Sequence, residues 1–190
     1  AAETGTIVGG GLLGIDYAAI AAAQDVDASY LIREDYWFSR AMSPAGASIV
    51  HDALEEKGVT PVLETTVDHF ETDEAGHVVA TVDDAGERYE SDCVGVAIGT
   101  ESNTAFLEGT PVAVDDGVVV DGRLRTDDPD VYAAGDVARY HDQRLDRPVK
   151  NGSWGSAAAQ GEHAAENMLV AGSGERFEFV PSYTVTHFSF

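Results

Sequence analysis

The chain has 190 residues, and 44% of them are hydrophobic, which is enough apolar material for one large or two small folded domains. Its 34 acidic residues against 11 basic ones give a formal net charge of -23, and this charge opposes binding to nucleic acid and to anionic membranes. No run of about 18 apolar residues is present, so we expect a soluble, cytoplasmic protein. The single cysteine, Cys93, excludes a disulfide and a Cys-x-x-Cys pair within these residues.

The acidic composition is also poor in lysine, because Lys57 and Lys150 are the only lysines in the chain. Such a surface around an ordinary hydrophobic core resembles that of proteins from a salt-accumulating cytoplasm, where the Debye length is about 3 Å at 1 M salt and self-repulsion is screened. We therefore expect a halophilic protein. An acidic protein from a low-salt cytoplasm is the alternative.

The first hundred residues have the pattern of a parallel α/β sheet. Short apolar runs at residues 4–8, 29–32 and 59–63 predict strands, and the stretches between them, at residues 12–23 and 45–57, predict helices. This β-α-β-α-β order requires parallel strands joined by right-handed crossovers.

An antiparallel meander is predicted next. Alternating runs at residues 66–70, 78–82 and 88–90 are separated by glycine-containing turns. The apolar residues 92–98 predict a buried strand that rejoins the parallel sheet, with Cys93 buried in it and chemically inert.

Beyond Gly99 the pattern becomes irregular, which predicts a domain boundary near residue 104, with one domain at residues 1–104 and another at residues 105–190. The predicted elements of the second part are strands at residues 118–120 and 131–133, a long polar loop at residues 140–152, a helix from about Ser156, and a strand-like run at residues 183–190.

A glycine-rich segment connects the first strand to the first helix. It reads Gly9-Gly10-Gly11-Leu12-Leu13-Gly14 and fits the pattern G-x-G-x-x-G. In this context Gly9 permits a tight turn, Gly11 lets the backbone approach a pyrophosphate, and Gly14 lets the helix pack against the strand. The helix N-terminus supplies amide donors for phosphate. The motif predicts nucleotide binding, and a purely structural turn is the alternative.

A second motif spans residues 126–136 and reads Thr-Asp-Asp-Pro-Asp-Val-Tyr-Ala-Ala-Gly-Asp. It resembles the second flavin fingerprint of the FAD-dependent pyridine nucleotide (disulphide) oxidoreductase superfamily, which includes ferredoxin, rubredoxin, nitrite and glutathione reductases. The resemblance implies that Asp136 hydrogen-bonds the ribityl chain of FAD and that Gly135 lets the cofactor approach closely. An ordinary helix cap at Asp136 is the alternative.

A third segment runs from Trp154 to Gly161 and is similar to the W-x-x-A-x-x-Q-G segment of ferredoxin-reductase-like members. The resemblance implies that Trp154 lies beside the isoalloxazine ring and that Gln160 belongs to the same cofactor-binding helix. A tryptophan that anchors the core is the alternative. The segment ending in Gly99 resembles the family's return from the nucleotide domain to the flavin domain, which makes Gly99 a further candidate.

The resemblance implies a Rossmann-like three-layer β/β/α nucleotide-binding domain with a parallel sheet and an antiparallel meander, followed by the C-terminal part of an FAD-binding domain. The implied activity is hydride transfer from NADPH or NADH to FAD and onward to an unidentified acceptor, for which a redox protein is one candidate. The family's first flavin unit is not among these residues. We therefore expect a missing N-terminal FAD-binding segment to complete the FAD site, and we expect the fragment alone to be inactive. A non-catalytic NAD(P)-binding sensor module is the alternative function.

The choice between NADPH and NADH depends on the end of the second predicted strand. Arg33 and Arg40 are similar in spacing to the arginine pair of NADPH-dependent glutathione reductases, and on this basis we expect NADPH. Glu34 and Asp35 could instead accept the ribose hydroxyls of NADH. Asp16 is a further candidate, because relatives often carry a glutamate near the nicotinamide at this position, although an acid in the first turn of a helix is also favoured by the helix dipole.

The six histidines are scattered along the chain without metal-ligand spacing. We therefore expect no bound metal.

Overall fold

The computed structural model describes residues 2–171. The chain divides into two compact units between Gly99 and Thr100. The strand-like run predicted at residues 183–190 lies outside the described residues. No helix in the described part of the chain is long and apolar enough to cross a membrane.

The first unit begins with the predicted α/β pattern. Its elements are β1 (Thr4–Val8), α1 (Leu12–Ala23), β2 (Asp27–Leu31), α2 (Pro44–Glu55) and β3 (Val59–Val62). The strands pair in parallel, with β1 and β3 on either side of β2. The predicted order of elements and the parallel pairing are confirmed.

Local sequence signals define the ends of α2. The Ser43 hydroxyl accepts a hydrogen bond from the backbone N–H of Gly46 at 3.2 Å, and Pro44 occupies the first helical position. Gly58, with a φ of 79°, follows the end of the helix and leads the chain into β3. The core of this unit joins the three strands to both helices and contains Ile7, Ile15, Ala18, Ala28, Tyr30, Ile32, Trp37, Leu54 and Val59.

The predicted meander is confirmed as a sheet of three antiparallel strands, β4 (Val67–Thr72), β5 (Val78–Asp83) and β6 (Arg88–Glu90). Both of its turns have the sequence Asp-x-Ala-Gly and begin at Asp73 and Asp83. In each turn the aspartate accepts hydrogen bonds from the backbone N–H groups two and four residues later, at 2.8 to 3.0 Å. The aspartate at the start of each turn therefore fixes its conformation.

The two turns differ in burial, and we expect Asp83→Ala to destabilise the protein more than Asp73→Ala. Asp83 is buried and also accepts a hydrogen bond from the Tyr89 hydroxyl at 3.1 Å, whereas Asp73 is exposed. Burial and this bond raise the pKa of Tyr89 to about 12, so the hydroxyl stays protonated and donates. We expect the free energy of unfolding to fall by about 3 kcal/mol for Asp83→Ala and by much less for Asp73→Ala. Urea denaturation of both variants measures the difference, and equal losses would contradict this account.

The strand β7 (Cys93–Val96) pairs in parallel with β1 and completes the sheet order β3-β2-β1-β7. The predicted pairing is confirmed, but the prediction that Cys93 is buried in this strand is wrong, because Cys93 is exposed. That its thiol is inert stays a prediction. Among the described residues β7 has a paired neighbour on one side only. An edge strand keeps part of its surface in contact with solvent.

The second unit contains a smaller sheet and one long helix. Its elements are β8 (Val118–Val120), β9 (Ala138–Asp142), β10 (Arg147–Val149) and α3 (Trp154–Leu169). The strand order is β10-β9-β8, with β8 parallel and β10 antiparallel to β9. The core of this unit contains Val112, Val118, Val120, Leu124, Ala138, Tyr140 and Ala164.

The prediction of a polar loop at residues 140–152 is wrong, because the β9–β10 hairpin occupies most of these residues. Asp142 at the end of β9 is fully buried, and its Oδ1 accepts the backbone N–H groups of Arg144 at 2.7 Å and Leu145 at 3.2 Å. A polar sequence therefore forms a hairpin because one buried carboxylate satisfies the donors of its turn.

The prediction of a strand at residues 131–133 is also wrong. This segment forms a loop with a single β-bridge, between Arg125 and Tyr132. The Thr126 hydroxyl lies 3.0 Å from the Asp128 carbonyl oxygen and 3.1 Å from the Val131 carbonyl oxygen. These contacts hold residues 126–131 in a compact turn, so the segment does not extend as a strand.

Candidate functional site

The connection between β1 and α1 is a glycine turn, residues 9–11, that is held tightly at its start. Gly9 has a φ of 118°, and a Cβ on it would lie 2.2 Å from the carbonyl oxygen of Ala97. Its backbone N–H donates to the Leu31 carbonyl oxygen at 3.0 Å. Only glycine fits this position, because both the backbone conformation and the neighbouring carbonyl exclude a side chain.

Gly14 brings α1 into direct contact with the glycine turn. A Cβ on Gly14 would lie 1.9 Å from the Gly9 carbonyl oxygen and 2.6 Å from the Tyr30 hydroxyl oxygen. This is the close packing that the last glycine of the motif permits.

Gly11 lies at the open end of α1. It is the N-cap residue with an extended conformation, and a Cβ on it would meet no atom within 4 Å. The first helical bond runs from the Ile15 N–H to the Gly11 carbonyl oxygen at 3.2 Å, so the N–H groups of Leu12, Leu13 and Gly14 have no partner within the helix. These donors, together with the positive end of the helix dipole, suit an anionic ligand.

Glu34 is the charged side chain beside the glycine turn. A Cβ on Gly10 would lie 3.2 Å from Glu34 Oε2, and Glu34 Oε1 accepts a hydrogen bond from Arg33 at 2.9 Å. The Arg33 side chain is 78% exposed and that of Glu34 is 36% exposed. Arg40 has a different partner, because its guanidinium lies 4.9 Å from the centroid of the Phe38 ring. Arg33 and Arg40 therefore contact different side chains, Glu34 and Phe38, and do not share a partner.

Tyr30, which no motif predicts, lies under the glycine turn. It is fully buried in β2, and its hydroxyl donates to the Gly9 carbonyl oxygen at 3.0 Å. Burial raises the pKa of Tyr30, a hydrogen bond from the Trp37 side chain opposes this, and the charges of Asp16 and Glu34 raise it further. The hydroxyl therefore stays protonated. The signal in the sequence is a tyrosine inside a buried strand, since a buried hydroxyl needs a partner.

Asp16 is exposed and is the fifth residue of α1. It lies beyond the first turn, where the helix dipole stabilises an acid most strongly, so the dipole does not account for its presence.

In the second unit, Gln160 supports the predicted Gly-Asp turn. The backbone N–H of Gly135, which has a φ of 82°, donates to Gln160 Oε1 at 2.9 Å. Gln160 is fully buried in α3, and its Nε2 donates to the Ser156 hydroxyl at 3.0 Å. Gln160 therefore acts from inside the core, by fixing Gly135 against the helix.

Asp136 and Trp154 are the exposed members of this second set. A Cβ on Gly152 would lie 3.4 Å from Asp136 Oδ2, so the carboxylate lies next to a residue without a side chain. Trp154 is the first residue of α3 and is 92% exposed, which excludes the core-anchor alternative. Gly99 has a φ of 125° and ends the first unit.

The predicted cofactor residues thus form two sets, each described within its own unit. One consists of the glycine turn, the start of α1 and Glu34. The other is Gly135, Asp136, Trp154 and Gln160. Across the described ranges, no group of three or more His, Cys, Asp or Glu side chains is arranged to hold a metal ion.

Comparisons with known proteins show which family the chain belongs to. The family model for pyridine nucleotide-disulphide oxidoreductases matches residues 2–161. The peroxisomal monodehydroascorbate reductase 2 of Oryza sativa subsp. japonica is 28% identical over 178 residues, which cover 93% of this chain and 37% of the rice protein. Putidaredoxin reductase of Pseudomonas putida is 30% identical over 177 residues, which cover 92% of this chain and 41% of the bacterial protein.

Among solved structures, the covalent complex of putidaredoxin reductase with putidaredoxin matches with a TM-score of 0.82 and 28% identity, over 89% of this chain and 40% of the chain it matches. The chain thus spans about two fifths of the length of these relatives. Members of the matching family use FAD and a pyridine nucleotide. Because the family model matches well over half of its residues, this chain belongs to the pyridine nucleotide-disulphide oxidoreductase family.

Proposed function

We propose that residues 1–104 are the NAD(P)-binding domain of an FAD-dependent oxidoreductase, and that residues 105–190 are the C-terminal part of its FAD-binding domain. The observation that carries the proposal is the geometry of the glycine turn. Side chains are excluded at Gly9 and Gly14, while the space at Gly11 is open in front of the N-terminus of α1. Backbone N–H donors at an open helix start, preceded by a strand and a tight turn, suit a pyrophosphate.

For the whole protein we propose hydride transfer from a reduced pyridine nucleotide to FAD, and onward transfer of electrons to an acceptor. FAD, when bound, supplies the hydride acceptor, and the residues of the chain supply binding and orientation. The start of α1 would hold the pyrophosphate of the nucleotide. Asp136 is the candidate partner of the FAD ribityl hydroxyls, and the exposed Trp154 is the candidate neighbour of the flavin ring.

A redox protein is the acceptor we propose. The similarity to putidaredoxin reductase, which has been solved in a covalent complex with putidaredoxin, supports this choice. This chain has a formal charge of -23, so an acceptor protein that docks on it would present a positively charged contact surface.

For the pyridine nucleotide we propose NADH, although Arg33 and Arg40 favour NADPH in the sequence. The Glu34 carboxylate lies beside Gly10, and an acid at the end of the second strand accepts the ribose hydroxyls of NADH and repels an added phosphate. Arg33 is already bonded to this carboxylate and is mostly exposed, so it orients Glu34.

Calorimetric titration with NADH and NADPH in molar salt tests both proposals. We expect the chain to bind NADH at least about tenfold more tightly than NADPH. Glu34→Gln should weaken NADH binding by about tenfold and remove most of the preference, because it removes the charge and keeps the size. Asp35→Asn is the matched control, since Asp35 is an exposed neighbour with the same charge, and it should leave the preference unchanged.

The two proposals fail in different ways. If neither nucleotide binds, the assignment of residues 1–104 as a nucleotide domain is wrong. If NADPH binds more tightly and Glu34→Gln changes nothing, the domain assignment stands and the choice of NADH is wrong.

A further inference from the structure

A hydrogen bond from a buried side chain connects β2 to the glycine turn. The Tyr30 hydroxyl donates to the Gly9 carbonyl oxygen at 3.0 Å. Tyr30 is 0% exposed and lies in the same core cluster as Trp37, which is 1% exposed, so water does not compete for this bond.

The Tyr30 hydroxyl touches both ends of the glycine motif. It bonds the carbonyl of Gly9, and its oxygen lies 2.6 Å from the position that a Cβ on Gly14 would occupy. The hydroxyl therefore fills the space between the turn and the start of α1.

Tyr30 also lies on the strand that leads to Glu34. It is four residues before Glu34 and belongs to β2. Through its bond to Gly9, Tyr30 therefore connects the strand beside the adenosine end of the proposed site to the glycine turn.

We propose that Tyr30 is a positioning residue for the pyridine nucleotide. This inference rests on the proposed function. The start of α1 and Glu34 belong to separate segments, yet a dinucleotide has to contact both at once. Because Tyr30 ties the two segments together before the ligand arrives, less conformational freedom is lost on binding.

Tyr30→Phe tests the proposal, because phenylalanine keeps the ring and removes the hydrogen bond to Gly9. We expect NADH to bind about five- to tenfold more weakly, as measured by calorimetry in molar salt at a temperature where the variant is folded. Adenosine has no phosphate and needs only the Glu34 side of the site, so its affinity, measured by NMR titration, should stay within about twofold. The ratio of NADH affinity to adenosine affinity therefore falls.

Tyr89→Phe is the matched control, because it also removes a hydroxyl bonded within the first unit, to Asp83. It should lower the melting temperature and leave both affinities unchanged. A purely structural role for Tyr30 predicts the same pattern for Tyr30→Phe, and that result would overturn the proposal. So would parallel losses of NADH and adenosine affinity.

Tyr30→Met provides a second route to the same answer if Tyr30→Phe does not fold. Methionine lacks the hydroxyl and is flexible enough to fill an irregular space in the core, and we expect the same fall in the ratio. An unchanged ratio in a folded Tyr30→Met protein would overturn the proposal. If the unsubstituted chain fails to bind NADH, the proposed function fails before the role of Tyr30 is reached.

Discussion

Gly14→Ala is expected to abolish NADH binding and to destabilise the first unit, although it adds only one methyl group. The new Cβ would lie 1.9 Å from the Gly9 carbonyl oxygen. Since that oxygen belongs to the backbone, α1 and the glycine turn have to move apart. Overpacking of this kind costs about 1–3 kcal/mol of stability. The start of α1 also moves away from the glycine turn, so the two no longer form one binding site for the nucleotide. Thermal unfolding and calorimetric titration with NADH measure the two effects.

Two other glycines provide controls for Gly14→Ala. Gly161 lies inside α3 with no atom near its Cβ position, so Gly161→Ala should stabilise the protein by about 0.5–1 kcal/mol and leave NADH binding unchanged. Gly11 is also open, and Gly11→Ala should cost about 0.5–1 kcal/mol as a poorer N-cap, without a steric clash. If Gly14→Ala retains both NADH binding and stability, the tight contact between α1 and the turn does not exist.

Elements whose signals are local were predictable from the sequence. The β1–α1–β2–α2–β3 order followed from apolar periodicity and from glycines at the turns, and the meander followed from two Asp-x-Ala-Gly turns that fix their own conformation. The glycine turn was predictable for the same reason, because its glycines directly follow a strand and open a helix. The contact of Gly9 with Ala97 was not predictable, because Ala97 is distant in the sequence.

Features that depend on distant contacts were not predictable. The β9–β10 hairpin has a polar sequence, and it forms because Asp142 is buried, which only the surrounding fold determines. Cys93 looked buried because its strand is apolar, but the position of a strand in a sheet is a tertiary property. The directions of Arg33 and Glu34 could not be read from their spacing either, and the direction of Glu34 decides our choice of nucleotide.

Raising the KCl concentration from low to molar should stabilise the protein by at least about 2 kcal/mol, or roughly 8 °C in melting temperature. Salt has two opposite effects on this chain. It weakens surface ion pairs such as Arg88–Glu71 and Lys150–Asp116, which contribute little to stability because solvent already screens them. It also screens the repulsion among acidic residues, which outnumber basic ones by 34 to 11. Because like-charge pairs outnumber opposite-charge pairs, the screening of repulsion is the larger effect.

The shape of the salt dependence separates screening from strengthened hydrophobic burial. The Debye length falls from about 30 Å at 0.01 M to about 10 Å at 0.1 M and 3 Å at 1 M, so screening should produce most of the rise below about 1 M. KCl and KBr should be equally effective in that range. Salting-out would instead favour sulfate over chloride and would continue to rise at higher concentrations. If the melting temperature stays constant or decreases as KCl is raised to 1 M, the interpretation of the chain as a halophilic protein is wrong.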